Sequence, residues 1–452
     1  MNKTQSRRSF ITRAGAAASP LAFPFIIPRH VLGGPDAPSN KLNIAGIGIG
    51  GMGRGNLGAC KGEHVMALCD VDHNYAGRTF KEHPQATRYT DYREMLAKET
   101  GIDAVVIATP DHTHAATSMA AMKAGKHVYC QKPLTHDIAE SRMLAQAAAK
   151  YDVVTQMGIQ GHSKEGIRLI SEWIQDGAIG TVREVDAWCS LMYSPPGHAY
   201  WSSILQERPK EGQPLPKGMD WENWIGPAPM RPYHRCYHPA TWRCWWDFGC
   251  GMMGDRGAHT LDPVFTALKL GDPLTMTGSG IVGGNLDVHP DKAKVVFTFA
   301  AREGFPALTL NWYEGQEPPR PEGLEEGRRL PGQGGSLFKG DKGMIWAGVY
   351  GDSPRLIPES AMKAYARPAK SIPRVRGGHE ADWIQAIKQG RKAGADFRYS
   401  GPLTEATLLG NLAKKFPGKT LEWDAKTMRV TNHAEANTWV RRPRRTGWDL
   451  SV

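Results

Sequence analysis

The chain has 452 residues, 40% of them hydrophobic and 22% charged, with a formal net charge of +11. That length accommodates two domains, each with its own core, and that composition excludes an intrinsically disordered chain. The positive charge is scattered, and seven cysteines without a C-x-x-C pair argue against a zinc ribbon or a disulfide framework.

Near the start, Ser6-Arg7-Arg8-Ser9-Phe10-Ile11 precedes a small-residue and apolar stretch, Ala14 to Ile27. It resembles the twin-arginine export signal, and Pro20, Pro24 and Pro28 make it a poor spanning helix. Export to the periplasm is expected, with cleavage and retention as a membrane anchor both open. No other segment approaches about 18 uninterrupted apolar residues, so no membrane span is expected in the body.

From Lys41 to Asp72 a short apolar run, Leu42 to Ile49, meets the cluster Gly48-x-Gly50-x-x-Gly53. A helix-compatible segment and a second apolar run, Val65 to Cys69, follow and end in Asp70. Gly48 permits the tight turn, Gly50 lets backbone approach a pyrophosphate, and Gly53 lets the next helix pack closely. Asp70 lies about 20 residues on, where a carboxylate can accept hydrogen bonds from a ribose diol. The acid also repels a 2′-phosphate, which favours NAD over NADP, although Arg54 and Arg78 lie nearby. Export would require a cofactor loaded beforehand and retained, because the twin-arginine route moves folded proteins.

Asp103 to Pro110 reads as a buried parallel strand, followed by Asp111-His112-Thr113-His114 and a helix from Ala115 to Ala124. The alternation of strand and helix predicts a doubly wound sheet, with ligands beyond the strand C-termini. Thr109, Pro110, His112 and His114 fall there as cofactor contacts, and His114 could equally cap the helix. The next strand ends in Gln131-Lys132-Pro133.

Together, Gly48-x-Gly50-x-x-Gly53, Cys69-Asp70, Thr109-Pro110-Asp111-His112-Thr113-His114 and Lys132-Pro133 resemble the Gfo/Idh/MocA oxidoreductase family, from about Lys41 to Lys414. The resemblance implies an N-terminal Rossmann NAD-binding domain and a C-terminal α/β domain with an open, mostly antiparallel sheet. It implies that Lys132 sits beside the nicotinamide and the reacting carbinol, with Gln131 where the family's E-K-P motif has glutamate. A carboxylate at that position would hold the lysine charged and an amide would not, so Lys132 is expected to share acid–base work.

A helix from Ile138 to Tyr151 and a strand from Val153 to Met157 lead to Gln160-Gly161-His162, beside the expected cleft between domains. His162 is a candidate substrate contact, and Ser163 can cap a helix from Lys164 to Asp176. The proline- and aromatic-rich run Ser194 to Thr241 reads as a wall of the substrate cleft, carrying Trp201, Trp221, Trp224, Tyr233, His234 and Tyr237. Flat rings suit the C–H face of a sugar, and core packing suits them equally well.

Asp255 and His259 are spaced i, i+4, which places both on one helical face. The spacing resembles the family's D-x-x-x-H pair, which implies His259 as the base removing the carbinol proton and Asp255 as its orienter. Two alternatives remain open at this point: a plain structural pair, and a metal held with His162.

Strands are expected at 275–282, 294–300, 307–313 and 342–350, with Glu314 to Gly335 as a mobile rim loop or oligomer arm. Helices are expected at 379–388 and 403–414. The run Arg441-Arg442-Pro443-Arg444-Arg445 reads as a solvated tail or subunit contact rather than a nucleic-acid surface. The expected organisation is signal 1–35, Rossmann domain 36–162, substrate domain 163–375 and C-terminal helices and tail 376–452. The expected activity is NAD-dependent oxidation or reduction of a secondary hydroxyl on a sugar or glycoside, by a homo-oligomer that binds no nucleic acid. Two readings compete: a glycosidase working by transient oxidation, elimination and re-reduction, and a sugar-binding subunit without chemistry.

Overall fold

The computed structural model describes residues 40–192, 205 and 207–452. The export signal and Trp201 lie outside them. Short apolar runs between glycine-bearing turns build the first sheet: β1 (Asn43–Ile47), β2 (His64–Cys69), β3 (Thr87–Tyr89), β4 (Ala104–Ile107), β5 (His127–Cys130) and β6 (Thr155–Met157). All pair in parallel, in the order β3-β2-β1-β4-β5-β6. In β4, Val105 and Ile107 enter one hydrophobic cluster while Ala104 and Val106 enter another, so both faces are covered. The strand order reverses between β1 and β4, which opens a crevice beyond their C-terminal ends.

Helices alternate with these strands as the sequence predicts, but the one after β4 starts at Asp111 and not at Ala115, so His114 lies inside it and does not cap it. Met52–Ala59 follows the glycine cluster, Asp111–Lys123 follows β4, and Ile138–Lys150 follows β5. The last starts in a capping box: the Asp137 side chain accepts from the Glu140 amide, and the Glu140 carboxylate accepts from the Asp137 amide. Ser163 does not cap the helix that begins at Glu165; its hydroxyl is 2.7 Å from His379 Nδ1 instead.

The second sheet contains β7 (Val182–Cys189), β8 (Thr275–Val282), β9 (Lys292–Phe299), β10 (Leu308–Glu314), β11 (Gly335–Gly340), β12 (Met344–Gly348), β13 (Arg355–Ile357), β14 (Thr420–Asp424) and β15 (Arg429–Val430). Its order is β13-β12-β11-β7-β10-β9-β8-β14-β15, with β7 and β10 parallel and the other pairs antiparallel. Ala293, Val295, Phe297 and Phe299 of β9 are buried on one face, as period-two alternation requires. The helix Phe397–Lys415 packs against β8 and β9 and sets Leu409 and Leu412 in the core. It starts six residues before the expected Leu403, because the Asp396 side chain caps it by accepting from the Arg398 and Tyr399 amides.

Two expectations are corrected by packing. Residues 314–335 are neither a free rim nor an arm: Leu324 and Leu330 are buried, and Trp188 Nε1 donates to Pro331 O at 3.1 Å. The basic run near the end is no solvated tail. Arg444 pairs with Glu140 at 2.8 Å, and Arg445 donates to the Gly226 and Glu222 carbonyls. No helix among the described residues is long and apolar enough to cross a membrane.

Candidate active site

The crevice at the β1/β4 reversal is a cleft with about 1120 Å³ of empty space, open solvent at its mouth included. Gly48, with φ +75°, turns the chain out of β1, and a Cβ there would lie 2.6 Å from the Thr109 amide. A Cβ on Gly53 would lie 2.2 Å from Gly48 O, so only glycine lets the helix start this close to the strand. The bare backbone of this turn, at the start of the Met52–Ala59 helix, is the cradle a pyrophosphate needs.

Asp70 sits at the end of β2 and is 7% exposed. One of its oxygens accepts from the Ile49 and Gly50 amides at 2.8 and 3.1 Å, and the other from the Asp72 amide at 2.9 Å. The carboxylate thus ties the glycine turn to β2, and the oxygen that accepts only from Asp72 keeps lone-pair capacity for a ribose hydroxyl. Arg54 and Arg78, which could have answered a 2′-phosphate, both pair with Glu82. These residues fit NAD.

Beyond β4, Thr109 and Pro110 line the cleft, and Thr109 Oγ1 is buried without a hydrogen-bond partner. His114 lines it too, but its ring nitrogens are 2.7 Å from Pro133 O and 2.8 Å from Thr109 O. It holds the two strand-end turns together, with its pKa pushed down to about 4 by burial. His112 is not a lining residue of this cleft. Its nitrogens lie 2.9 Å from Trp224 O and 3.2 Å from Phe248 O, and its ring packs against the Trp224 and Phe248 side chains.

Lys132 reaches from the end of β5 to Asp255, donating to its carboxylate and, at 3.1 Å, to its main-chain carbonyl. Arg243 Nε stands 3.7 Å from the same carboxylate oxygen. Burial alone would raise the Asp255 carboxyl, but Lys132 and Arg243 outweigh it and hold it far below the ordinary carboxylate range. The expectation that an amide at position 131 leaves Lys132 without a carboxylate is therefore corrected: Asp255 supplies it. Gln131 lines the cleft and donates through Nε2 to Asn56 Oδ1 at 2.9 Å. Asn56 donates in turn to Glu380 at 2.7 Å.

Asp255 belongs to a π-helical turn, Met253–Gly257, that runs directly into the helix Ala258–Leu268. Such turns widen the helix by a residue and are frequent at functional sites. His259 follows in the first turn of that helix, 5% exposed, with Nδ1 buried without a hydrogen-bond partner and its ring edge-on to Tyr350 at 4.7 Å. Burial first, then the nearby Lys132 charge, drives its pKa well below the usual imidazole value. Asp255 does not hydrogen-bond His259, so the orienter expected from the spacing is instead the counter-charge of Lys132.

His162 lies in the turn after β6, with Nδ1 2.8 Å from Asp262 Oδ1, and Tyr399 donates to that same oxygen at 2.6 Å. The metal alternative finds no donor set: among the described residues no three His, Cys, Asp or Glu side chains gather around one point. Sequence reasoning missed Asp111, Arg243, Asp262 and Tyr399. Asp262 carried a readable signal, three residues after His259 on the same helix, and Arg243 lies only 12 residues before its partner Asp255; the partners of Asp111 and Tyr399 are remote in sequence. Asp111, buried beside this cluster, accepts from the Cys250 amide at 3.0 Å, and burial pushes its pKa up to about 7. Of the aromatic run, Trp221, Trp224 and Tyr237 are core residues, and Trp224 faces the dinucleotide cleft rather than a separate substrate wall.

Residues 42–159 match an oxidoreductase family's NAD-binding Rossmann fold, and residues 196–277 match the oxidoreductase family's C-terminal α/β domain. An inositol 2-dehydrogenase of Serratia proteamaculans is 27% identical over 144 residues, which is 31% of this chain and 43% of that one. A levoglucosan dehydrogenase of Pseudarthrobacter phenanthrenivorans is 33% identical over 93 residues, 21% of this chain and 24% of that one. The chain thus spans less than half the length of these relatives. Among solved structures, the Bordetella pertussis WlbA dehydrogenase with NADH and UDP-GlcNAcA superposes with a TM-score of 0.59 at 16% identity, over 85% of this chain and 99% of that one. Caulobacter crescentus aldose-aldose oxidoreductase gives 0.56 at 16%, over 84% and 99%. At such identities the likeness is one of fold.

Proposed function

Because this chain belongs to the Gfo/Idh/MocA oxidoreductase family, we propose that it is an NAD-dependent oxidoreductase acting on a secondary hydroxyl of a sugar or glycoside. The observation that carries the reading is the Lys132–Asp255 ion pair at the dinucleotide cleft, with His259 four residues further on. NAD, when bound, accepts or returns the hydride. The Lys132 ammonium, fixed by two bonds to Asp255, polarises the carbinol oxygen. His259, neutral at pH 7 because its pKa is depressed, takes the hydroxyl proton during oxidation and returns it in the reverse direction. Asp255 stays ionised throughout and keeps the lysine in place. The inositol and levoglucosan dehydrogenases among the relatives support a polyhydroxylated, sugar-like substrate.

A glycosidase working through transient oxidation uses the same residues. It is favoured by one observation: Asn223, Trp224, His238 and Trp242 wall one side of the cleft, and their segment is fastened through a bridge of Met219 to Asp72 and a 2.9 Å contact of His238 with Asp72. A cleft wall fastened in this way suits a cofactor that stays through a redox-neutral cycle. The motif Ser6 to Ile11 supports export through the twin-arginine route. Purified protein mixed with a panel of nitrophenyl glycosides separates the two chemistries. Reduced nicotinamide accumulating without aglycone supports the dehydrogenase. Catalytic aglycone release with no net reduction overturns it in favour of the glycosidase.

A further inference from the structure

The far end of the dinucleotide cleft is built partly from a segment remote in sequence. Asp70, at the end of β2, donates its amide to Tyr89 O at the end of β3, and the residues that follow β3, Thr90 to Tyr92, line the cleft together with Asn223 and Trp448, which pack beside them. In a Rossmann crevice the glycine turn takes the pyrophosphate and the acid after β2 takes the adenosine ribose, so this end receives the adenine. We propose that residues 442–452 form a strap that closes the adenine end of the cleft, with Trp448 as a cofactor-binding residue that governs dinucleotide release. The proposal rests on the cleft being the NAD site.

The strap is anchored on both sides of Trp448. Before it, Arg442 donates to Trp246 O and Arg444 reaches Glu140 at 2.8 Å and Asp137 at 3.5 Å. The Arg445 amide and guanidinium donate to the Pro227, Gly226 and Glu222 carbonyls, each at 3.0 Å. After it, Lys123 donates to Ser451 Oγ at 2.8 Å. The strap thus crosses from the helix Ile138–Lys150, over residues 222–227, to the helix Asp111–Lys123.

Trp448 itself is held between rigid neighbours. The Arg93 guanidinium lies 4.8 Å from its ring centroid, Tyr92 packs at 6.4 Å, and its amide donates to Arg445 O at 3.1 Å. A Cβ on Gly226 would stand 3.6 Å from its ring, so little slack remains on that side. Arg93 is fixed in turn by Asp91 and by Asn223 Oδ1 at 2.6 Å. An indole presented to a cleft beside a tyrosine matches a flat purine, since every base offers a π face for stacking. None of the glycine, acid or lysine positions of the fold needs this tryptophan, so it is an addition specific to the strap.

The test is calorimetric titration of the wild type, Trp448→Ala and Trp448→Phe with NAD, ADP-ribose and nicotinamide mononucleotide. Loss of one base–aromatic stack should weaken NAD and ADP-ribose alike by about tenfold or more. Affinity for the mononucleotide should be unchanged, and Trp448→Phe should recover most of the loss. Arg445→Ala, which keeps the indole and frees the strap, should speed NAD dissociation in a displacement assay, and it carries the test if Trp448→Ala does not fold. Trp448→Ala that binds ADP-ribose like the wild type, whatever its melting temperature, overturns the strap and leaves the NAD reading standing. A wild type stripped of bound nucleotide that then binds neither NAD nor ADP-ribose overturns both.

Discussion

Lys132 and Asp255, 123 residues apart, are joined twice: the ammonium donates to the carboxylate and to the main-chain carbonyl of the same aspartate. The first bond supplies charge and the second supplies direction, because a carbonyl oxygen in a helical turn has a fixed position. Replacing Lys132 by Met keeps the stem and removes the ammonium. Its kcat should fall by about 10²- to 10³-fold, the range for losing one fixed electrostatic donor at the reacting oxygen, while NAD affinity by fluorescence titration stays within a small factor. A Lys132→Met variant with wild-type turnover would remove the lysine from the chemistry.

Asp111 makes stability depend on pH in an unusual direction. Its folded pKa, near 7, stands above the ordinary carboxylate value of 3.8, with burial as the main cause and Arg243 only partly offsetting it. A raised acid contributes stability that is complete below the unfolded pKa and is lost as pH rises through the folded one. The window is therefore about pH 4 to 7. Asp111→Asn keeps an oxygen for the Cys250 amide and does not ionise, so its melting temperature relative to wild type should climb from pH 4 to pH 8. A flat difference across that range would show that the buried carboxyl titrates normally.

What was readable in the sequence was local. Gly48, Gly50, Gly53 and Asp70 act within a single β-α-β run, and each lies in the cleft or its turn because the backbone alone dictates the geometry. Lys132, Asp255 and His259 were legible as a set through the family resemblance, yet their pairing was not. The i, i+4 spacing assumes a regular helix, and the π-helical turn at Met253–Gly257, with Lys132 arriving from β5, gives Asp255 a different partner. His112 was misassigned because its neighbours, Trp224 and Phe248, come from more than 100 residues away. The basic run at 441–445 reads as solvated until Asp137, Glu140 and Glu222 are brought to it by the fold. Residues 314–335 carry their two buried leucines at no regular period, so no pattern revealed that they cover a sheet face.

Glu314 and Lys414 form an ion pair with both side chains fully buried, Lys414 donating to both carboxylate oxygens at 2.9 Å. Trp312 Nε1 adds a third bond at 3.0 Å. The pair fastens β10 to the helix Phe397–Lys415. Glu314→Gln leaves a buried ammonium facing a neutral amide, and breaking such a pair costs about 3–5 kcal/mol. Urea unfolding should report a loss of that order, and a loss below about 1 kcal/mol, the scale of an exposed pair, would mean that water reaches Lys414.

Gln131 stands where the family motif has glutamate, and its surroundings explain why an acid would fare badly. Its Nε2 donates to Asn56 Oδ1, Asn56 Nδ2 donates to Glu380, and Tyr129 OH donates to Glu380 at 3.0 Å. The direction of donation runs towards one carboxylate. Gln131→Glu puts a second carboxylate at the start of that chain, where Asn56 can serve only one of the two. An unmatched buried acceptor costs about 1–3 kcal/mol, whereas the protonated form of the introduced acid still donates. Gln131→Glu should therefore melt below wild type at pH 8 and recover towards it at pH 5. A melting deficit equal at pH 8 and pH 5 would show that the introduced carboxyl finds donors and is not left unmatched at position 131.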